Sequence, residues 1–401
     1  MIPNSGSLSN LRVIDASRVL GGPYAGQVLA DHGADVIKVE PPAGDETRGW
    51  GPPFLDDAAS YFLGLNRNKR GIAIDLAQPV GLELLERLLE NADVFIENFK
   101  TGTLEKWGLG QEEIARRFPR LVHCRVSGFG ADGPLGGLPG YDAAIQATCG
   151  IMSVNGEKGG QPLRVGLPVV DMVTGLNAVI GILMAIAERN QSGKGQFVET
   201  TLYDCGVSLL HPHLPNYYLN GVTPQPSGNA HPNICPYDTY ATKTVPIFLA
   251  VGNNRQFVQL CKILDRNDIP GDPRFASNSS RNTNRDALKL LLEEALSTHD
   301  CAEIAETLIR SGVPCGAVRS IDQVVADPHT QHREMIVDID NYRGTGSPIK
   351  LSRTPASYRM KPPAFGQHTA EVFAEISVNT SDYEDVLPGT EGSTASRTKT
   401  A

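Results

Sequence analysis

The 401-residue chain predicts an α/β fold with a parallel sheet in a Rossmann-like large domain, followed by a smaller α+β domain. Three observations carry this. Short apolar runs alternate with helix-like segments through the first two hundred residues, which is the rhythm of βαβ units. A Pro-rich stretch then interrupts every period. Beyond it, one strand-like run is followed by three helical ones.

The runs Leu11–Asp15, Ala34–Glu40, Ile72–Leu76, Val94–Glu97, Leu121–Ser127 and Phe197–Thr201 read as strands. Between them, Tyr24–Asp31, Val80–Glu90 and Glu112–Arg117 read as helices, with Leu84, Leu85, Leu88 and Leu89 on one face of the second. Met172–Arg189 is a long apolar helix. Between His211 and Pro236 six Pro residues mark a connection, so the large domain is expected over 1–210 with a linker at 211–227. The small domain, 228–316, takes a strand at Val245–Val251 and helices at Gln256–Leu264, Asn284–Leu296 and Ala302–Arg310. Residues 317–376 are read as a return to the large domain, and 377–401, rich in Ser, Thr and Gly, as a disordered tail.

Composition narrows the function. With 36 Lys and Arg against 45 Asp and Glu, the net charge is -9, which argues against nucleic acid or an anionic membrane as a partner. The longest apolar run, Ala178–Ala187, falls short of the ~20 residues a membrane helix needs. Seven dispersed Cys without a Cys-x-x-Cys pair fit a reducing compartment, and a cytoplasmic protein is the expectation.

The segment Gly128-Phe-Gly-Ala-Asp-Gly133 formally matches a dinucleotide fingerprint, but Pro134, Gly136, Gly137, Pro139 and Gly140 forbid the helix such a fingerprint must open. His211-Pro-His213 lacks partners at metal-ligand spacing, and no metal site is expected. The cations Lys38, Arg48, Arg67, Lys69, Arg70, Lys100 and Lys106 gather among the βα units. They read either as a solvated face or as a site for a phosphate-bearing ligand at the carboxyl ends of the strands. Asp171, at the head of the long helix, is either an N-cap or a carboxylate nucleophile.

Several stretches go beyond pattern: Gly22-Pro-Tyr-Ala-Gly-Gln27, Gly33-Ala-Asp-Val-Ile-Lys-Val-Glu-Pro41, Gly44-Asp45 with Thr47-Arg48, and Asn66-Arg-Asn-Lys69. Glu97-Asn-Phe99, Gly140-Tyr-Asp142, Asp171 with Gly175, and Gly193-Lys-Gly-Gln196 complete the set. Together they resemble the class III coenzyme A transferases, a family that includes formyl-CoA transferase, succinyl-CoA:dicarboxylate CoA-transferases and α-methylacyl-CoA racemase. The resemblance covers nearly the whole chain and implies two chains interlocked as a homodimer.

It also implies that Asp171 is the catalytic nucleophile, attacking an acyl-CoA thioester. Leu20, Gly21, Ile74, Asp75, Leu76, Asn98, Phe99, Lys100, Lys106, Tyr141 and Asp142 fall on segments that line the CoA site. Backbone N–H groups at the start of the helix after Asp171 are candidate oxyanion donors. The racemase branch carries His where this chain has Tyr141, and tyrosine is a poor base at neutral pH. The glycine loop of formyl-CoA transferase is replaced by Gly228-Asn-Ala-His-Pro-Asn-Ile-Cys-Pro236, in which His231 is placed to bind a distal carboxylate. The expected reaction is CoA transfer from succinyl-CoA to a small dicarboxylic acid through an aspartyl intermediate, with no cofactor beyond the CoA thioester itself. A 2-methylacyl-CoA isomerase and a non-catalytic CoA-binding paralogue are the alternatives.

Overall fold

The computed structural model describes residues 6–378, so most of the expected tail, 377–401, lies outside the described residues. The chain divides into two units. The first runs to Cys149, resumes over Gly166–Leu209 and closes from His329 onward; the second comprises Gly150–Val165 and Leu210–Pro328. The return to the first unit thus falls at 329 rather than 317. The short excursion at 150–165 has no counterpart in the sequence reading.

The first unit is built on six strands, β1 (Arg12–Asp15), β2 (Asp35–Glu40), β3 (Lys69–Ala73), β4 (Val94–Glu97), β5 (Val122–Ser127) and β6 (Phe197–Thr201). They lie in the order β3-β2-β1-β4-β5-β6, and every pairing is parallel. The order reverses between β1 and β4, which makes their carboxyl ends the topological switch point where such sheets bind ligands. Ile14, Ile37, Ile72 and Phe95 are fully buried from adjacent strands, and Leu84, Leu85, Leu88 and Leu89 of helix α1 (Pro79–Glu90) pack on them.

β3 starts three residues earlier than the apolar run indicated, because it opens with Lys69 and Arg70, both buried. Those charges are paired. Lys69 Nζ donates to Asp15 Oδ2 at 2.8 Å, and Arg70 binds Asp35 at 2.8 Å as well as Glu371 and Glu375. The same holds for Lys38 with Asp45 (3.0 Å), Arg48 with Glu40 (2.7 Å) and Arg67 with Asp31 (2.6 Å). Five of the seven cations, Lys38, Arg48, Arg67, Lys69 and Arg70, are therefore not a solvated face, while Lys100 and Lys106 are exposed. These five form largely buried ion pairs, of which Lys69–Asp15 and Arg70–Asp35 tie β3 to β1 and β2, and of the seven cations only Lys100 lines the cavity described below. Burial draws the Lys69 ammonium down to about 8, while Lys69 and Lys38 outweigh burial and hold Asp15 below the usual carboxylate range.

The long helix, α2 (Val169–Ser192), starts before the expected Met172 and buries Val170, Asp171, Thr174, Gly175, Ala178, Val179, Ile182, Ala185 and Arg189, a stripe at helical spacing. It ends where Gly193 takes φ 78° and returns its N–H to Arg189. At 24 residues it is long and apolar enough to cross a membrane, which the run Ala178–Ala187 did not reveal; 44% of its most apolar stretch is nonetheless buried inside the protein. It packs against α3 (Gly21–Asp31), the helix that follows β1.

The second unit holds a three-stranded antiparallel sheet with Ile247–Ala250 between Tyr237–Tyr240 and Cys315–Ala317. Helices Asn254–Ile263, Arg285–Leu296 and Cys301–Arg310 share its core through Phe257, Leu260, Leu288, Leu292, Leu296, Ile304 and Leu308. The expected linker carries a helix of its own, His213–Asn220, with Pro215 tolerated in its first turn.

Candidate active site

At the switch point, the loops after β1, β4 and β5 and the head of α2 enclose a cavity of about 330 Å³. Leu20, Gly21, Asn98, Phe99, Lys100, Tyr141 and Asp171 all line it, so seven residues scattered over 150 positions of sequence meet in one place. Gly128 and the stretch Gly137–Gly140 close another side; the false dinucleotide fingerprint opens this loop, in which Gly130, Gly133 and Gly137 take positive φ. Six expected residues lie off this lining: Ile74, Asp75, Leu76, Lys106, Asp142 and His231. Ile74 is fully buried, Asp75 turns its carboxylate to the N–H of Ala77 (3.0 Å), Leu76 packs on the core, and Lys106 is exposed. His231 belongs to the second unit.

Asp171 is 8% exposed and receives no hydrogen bond on its carboxylate among the described residues. It is not the N-cap of α2, which begins two residues earlier. Asp142 performs that role from outside the helix, accepting the N–H groups of Val170 (2.8 Å) and Asp171 (3.1 Å) on Oδ2 while Gln146 donates to Oδ1 at 2.6 Å. Asp142 does not line the cavity; it fixes the turn of helix from which Asp171 projects. The oxyanion donors expected from the helix after Asp171 begin at Met172, whose N–H is taken by the Pro168 carbonyl at 3.0 Å.

Burial pushes the Asp171 carboxyl up to about 7, and the charge of Asp142 adds in the same direction. A desolvated carboxylate without hydrogen-bond partners keeps its lone pairs available and is a stronger base, hence a stronger nucleophile, than one in water. The Gly21 N–H, at the first position of α3, has no acceptor among the described residues and borders the same cavity. Gly21 and Asp171 are close because α3 and α2 touch backbone to backbone: a Cβ on Gly175 would lie 2.6 Å from the Gly21 carbonyl oxygen.

Sequence reasoning missed Tyr61, whose phenol is pushed up to about 12 by burial and then by the charges of Asp171, Asp142 and Asp45. It stacks edge-on with Trp50 at 5.2 Å. Trp50 follows a 3-10 turn and Tyr61 sits in a four-residue helix, Ser60–Leu63, elements too short to carry a periodic signal, so only the fold places the pair near the carboxylates. No group of three or more metal-ligating side chains converges among the described residues. His231 accepts the Asn233 N–H on Nδ1 at 3.0 Å, and burial, His213 and Arg285 press its pKa down. In the neutral form that this lowering favours, the ring carries its proton on Nε2, which has no acceptor among the described residues.

The model of CoA-transferase family III matches residues 8–369. The chain is 41% identical over 381 residues to the succinate–glutarate CoA-transferase of Agrobacterium fabrum, covering 92% of this chain and 95% of that one. It is 34% identical to the human succinyl-CoA:glutarate CoA-transferase, over 92% of this chain and 86% of the other. A solved CAIB/BAIF family protein from Brucella suis superposes with a TM-score of 0.83 at 40% identity, across 93% of this chain and all of its own. A switch-point cavity with a buried carboxylate is thus set in a chain matched almost end to end, and the protein belongs to CoA-transferase family III.

Proposed function

We propose that this enzyme moves coenzyme A from succinyl-CoA to a small dicarboxylic acid, with Asp171 as the covalent nucleophile and the switch-point cavity as the CoA site. The buried, unbonded carboxylate of Asp171 carries the reading. Its relatives in Agrobacterium fabrum and in human are named for succinate or succinyl-CoA and glutarate, which supports this donor and acceptor class.

In the first step an Asp171 oxygen attacks the thioester carbonyl, and the C–S bond breaks to give a mixed anhydride and the CoA thiolate. The thiolate then attacks the Asp171 carbonyl of the anhydride, forming an aspartyl-CoA thioester and releasing the donor acid. The acceptor carboxylate enters and the two steps run in reverse, so thioester energy is conserved throughout. A thiol of pKa ~8.5 is a better nucleophile than a carboxylate of pKa ~4, and exclusion of water helps the carboxylate compete. The Gly21 N–H is the donor we assign to the developing oxyanion. The Nε2–H of His231 is assigned to the distal carboxylate of the acid.

The working unit we assign is a homodimer. Leu176, Ile180, Leu183 and Met184 form an exposed apolar face along α2 that a second copy would cover. Asp171→Ala tests the central assignment: transfer from succinyl-CoA across a panel of mono- and dicarboxylic acids should vanish while CoA still binds. Near-normal transfer by this variant would remove Asp171 from the chemistry.

A further inference from the structure

The rim of the cavity after β1 has an unusual backbone. Val19 takes φ 71°, in the left-handed region that a β-branched residue rarely enters, and Leu20 follows at φ -135°, ψ -64°. Such a conformation persists only where neighbours over-determine it. Here the restraint is specific: the Asn98 side-chain oxygen accepts the Arg18 N–H at 2.9 Å, and its Nδ2 donates to the Arg18 carbonyl at 2.8 Å. The carboxamide thus grips both backbone groups of the residue before Val19, as a paired strand would. On the far side, Lys38 Nζ donates to the Ser17 carbonyl at 2.9 Å, and the Tyr24 N–H returns to Leu20 at 2.7 Å.

We propose that Asn98 is a positioning residue: its carboxamide clamps Arg18 and so holds Val19 in the left-handed conformation that sets Leu20 and Gly21 on the cavity rim. This rests on the reading of that cavity as the CoA site. It differs from a direct-contact role in that one N–H and one oxygen lone pair of the amide are already engaged by the Arg18 backbone. Without the clamp, Val19 relaxes toward negative φ and carries Leu20 and Gly21 with it. A glycine at position 19 adopts φ 71° without cost, and therefore needs the clamp less.

The test is calorimetric titration of the full-length protein with free CoA, using Asn98→Ala, Val19→Gly and the double variant, with steady-state kinetics beside it. Asn98→Ala should weaken CoA binding about ten-fold with a matching rise in KM, and kcat should fall by about ten-fold or more because the Gly21 N–H assigned to the oxyanion moves with the rim. Val19→Gly is the reference for the double variant, and adding it to Asn98→Ala should recover most of the loss. If Asn98→Ala does not fold, Asn98→Asp replaces it, since a carboxylate oxygen facing the Arg18 carbonyl breaks one arm of the clamp. Unchanged binding in the single variant, or a double variant as weak as Asn98→Ala, overturns the proposal; the latter would mean that Asn98 touches the ligand itself. A wild-type protein that fails to bind CoA is a different result, and strikes the assignment of the cavity.

Discussion

Replacing Asp171 with Asn should make the protein more stable at pH 8, although it removes the proposed nucleophile. The carboxyl stands at about 7 in the folded protein against an ordinary 3.8. The folded state therefore holds this proton more tightly than the unfolded state does. Between about pH 4 and pH 7 stability falls as pH rises, because ionising the buried group costs more than ionising it in the open chain. Below pH 4 both states are protonated and the effect vanishes. At about 1.4 kcal/mol per unit, the full difference is on the order of 4 kcal/mol at pH 8. With Asp171 only 8% exposed, solvent screens little of it. Asparagine has nearly the same shape and no titration, so its advantage should open from near zero at pH 4 to that value at pH 8. Thermal unfolding followed by circular dichroism at pH 5, 6.5 and 8 reads it, since each kcal/mol is worth about 2–4 °C in a domain of this size. A variant that melts below the wild type at pH 8, or an offset that ignores pH, would refute the reasoning and mean that the carboxylate is stabilised in the fold.

Asp142→Asn keeps an oxygen for the Val170 and Asp171 N–H groups but removes the like charge, so the acidic limb of the kcat/KM profile should move to lower pH; an unmoved limb would show that Asp142 acts only as a cap. Gly175→Ala places a methyl 2.6 Å from the Gly21 carbonyl, which should cost about 1–3 kcal/mol of stability and raise KM for the acyl-CoA, measured by denaturation and kinetics on one preparation. Lys38→Met strands the buried Asp45, and a loss of about 3–5 kcal/mol in the same denaturation assay is expected. His231→Ala should erode discrimination between dicarboxylic and monocarboxylic acceptors while leaving CoA affinity unchanged, which parallel kinetics with both acid types can check.

The sheet was legible because its core strands are apolar on both faces and its helices carry leucines at i, i+1, i+4 and i+5, as in Leu84, Leu85, Leu88 and Leu89. It failed at β3, where Lys69 and Arg70 are buried with carboxylates contributed by β1, β2 and the C-terminal segment. A local window reads such residues as surface. The same blindness covers Asp142, whose partners lie 28 and 29 positions away, and Tyr61, whose electrostatic neighbours come from three separate segments. The cavity residues became visible through motif resemblance, since Leu20, Asn98, Tyr141 and Asp171 share no period and meet only when β1, β4 and β5 lie side by side. Lys106 and Ile74–Leu76 came with the same resemblance and lie off the cavity lining.

The most direct measurement is mass spectrometry of the protein after brief incubation with succinyl-CoA, trapped with hydroxylamine or borohydride and mapped to its peptides. The account predicts modification of the peptide at Asp171 alone, lost in Asp171→Asn. An unmodified Asp171 with succinyl-CoA consumed and an acceptor acid thioesterified would contradict it, because transfer would then proceed without the covalent carboxylate.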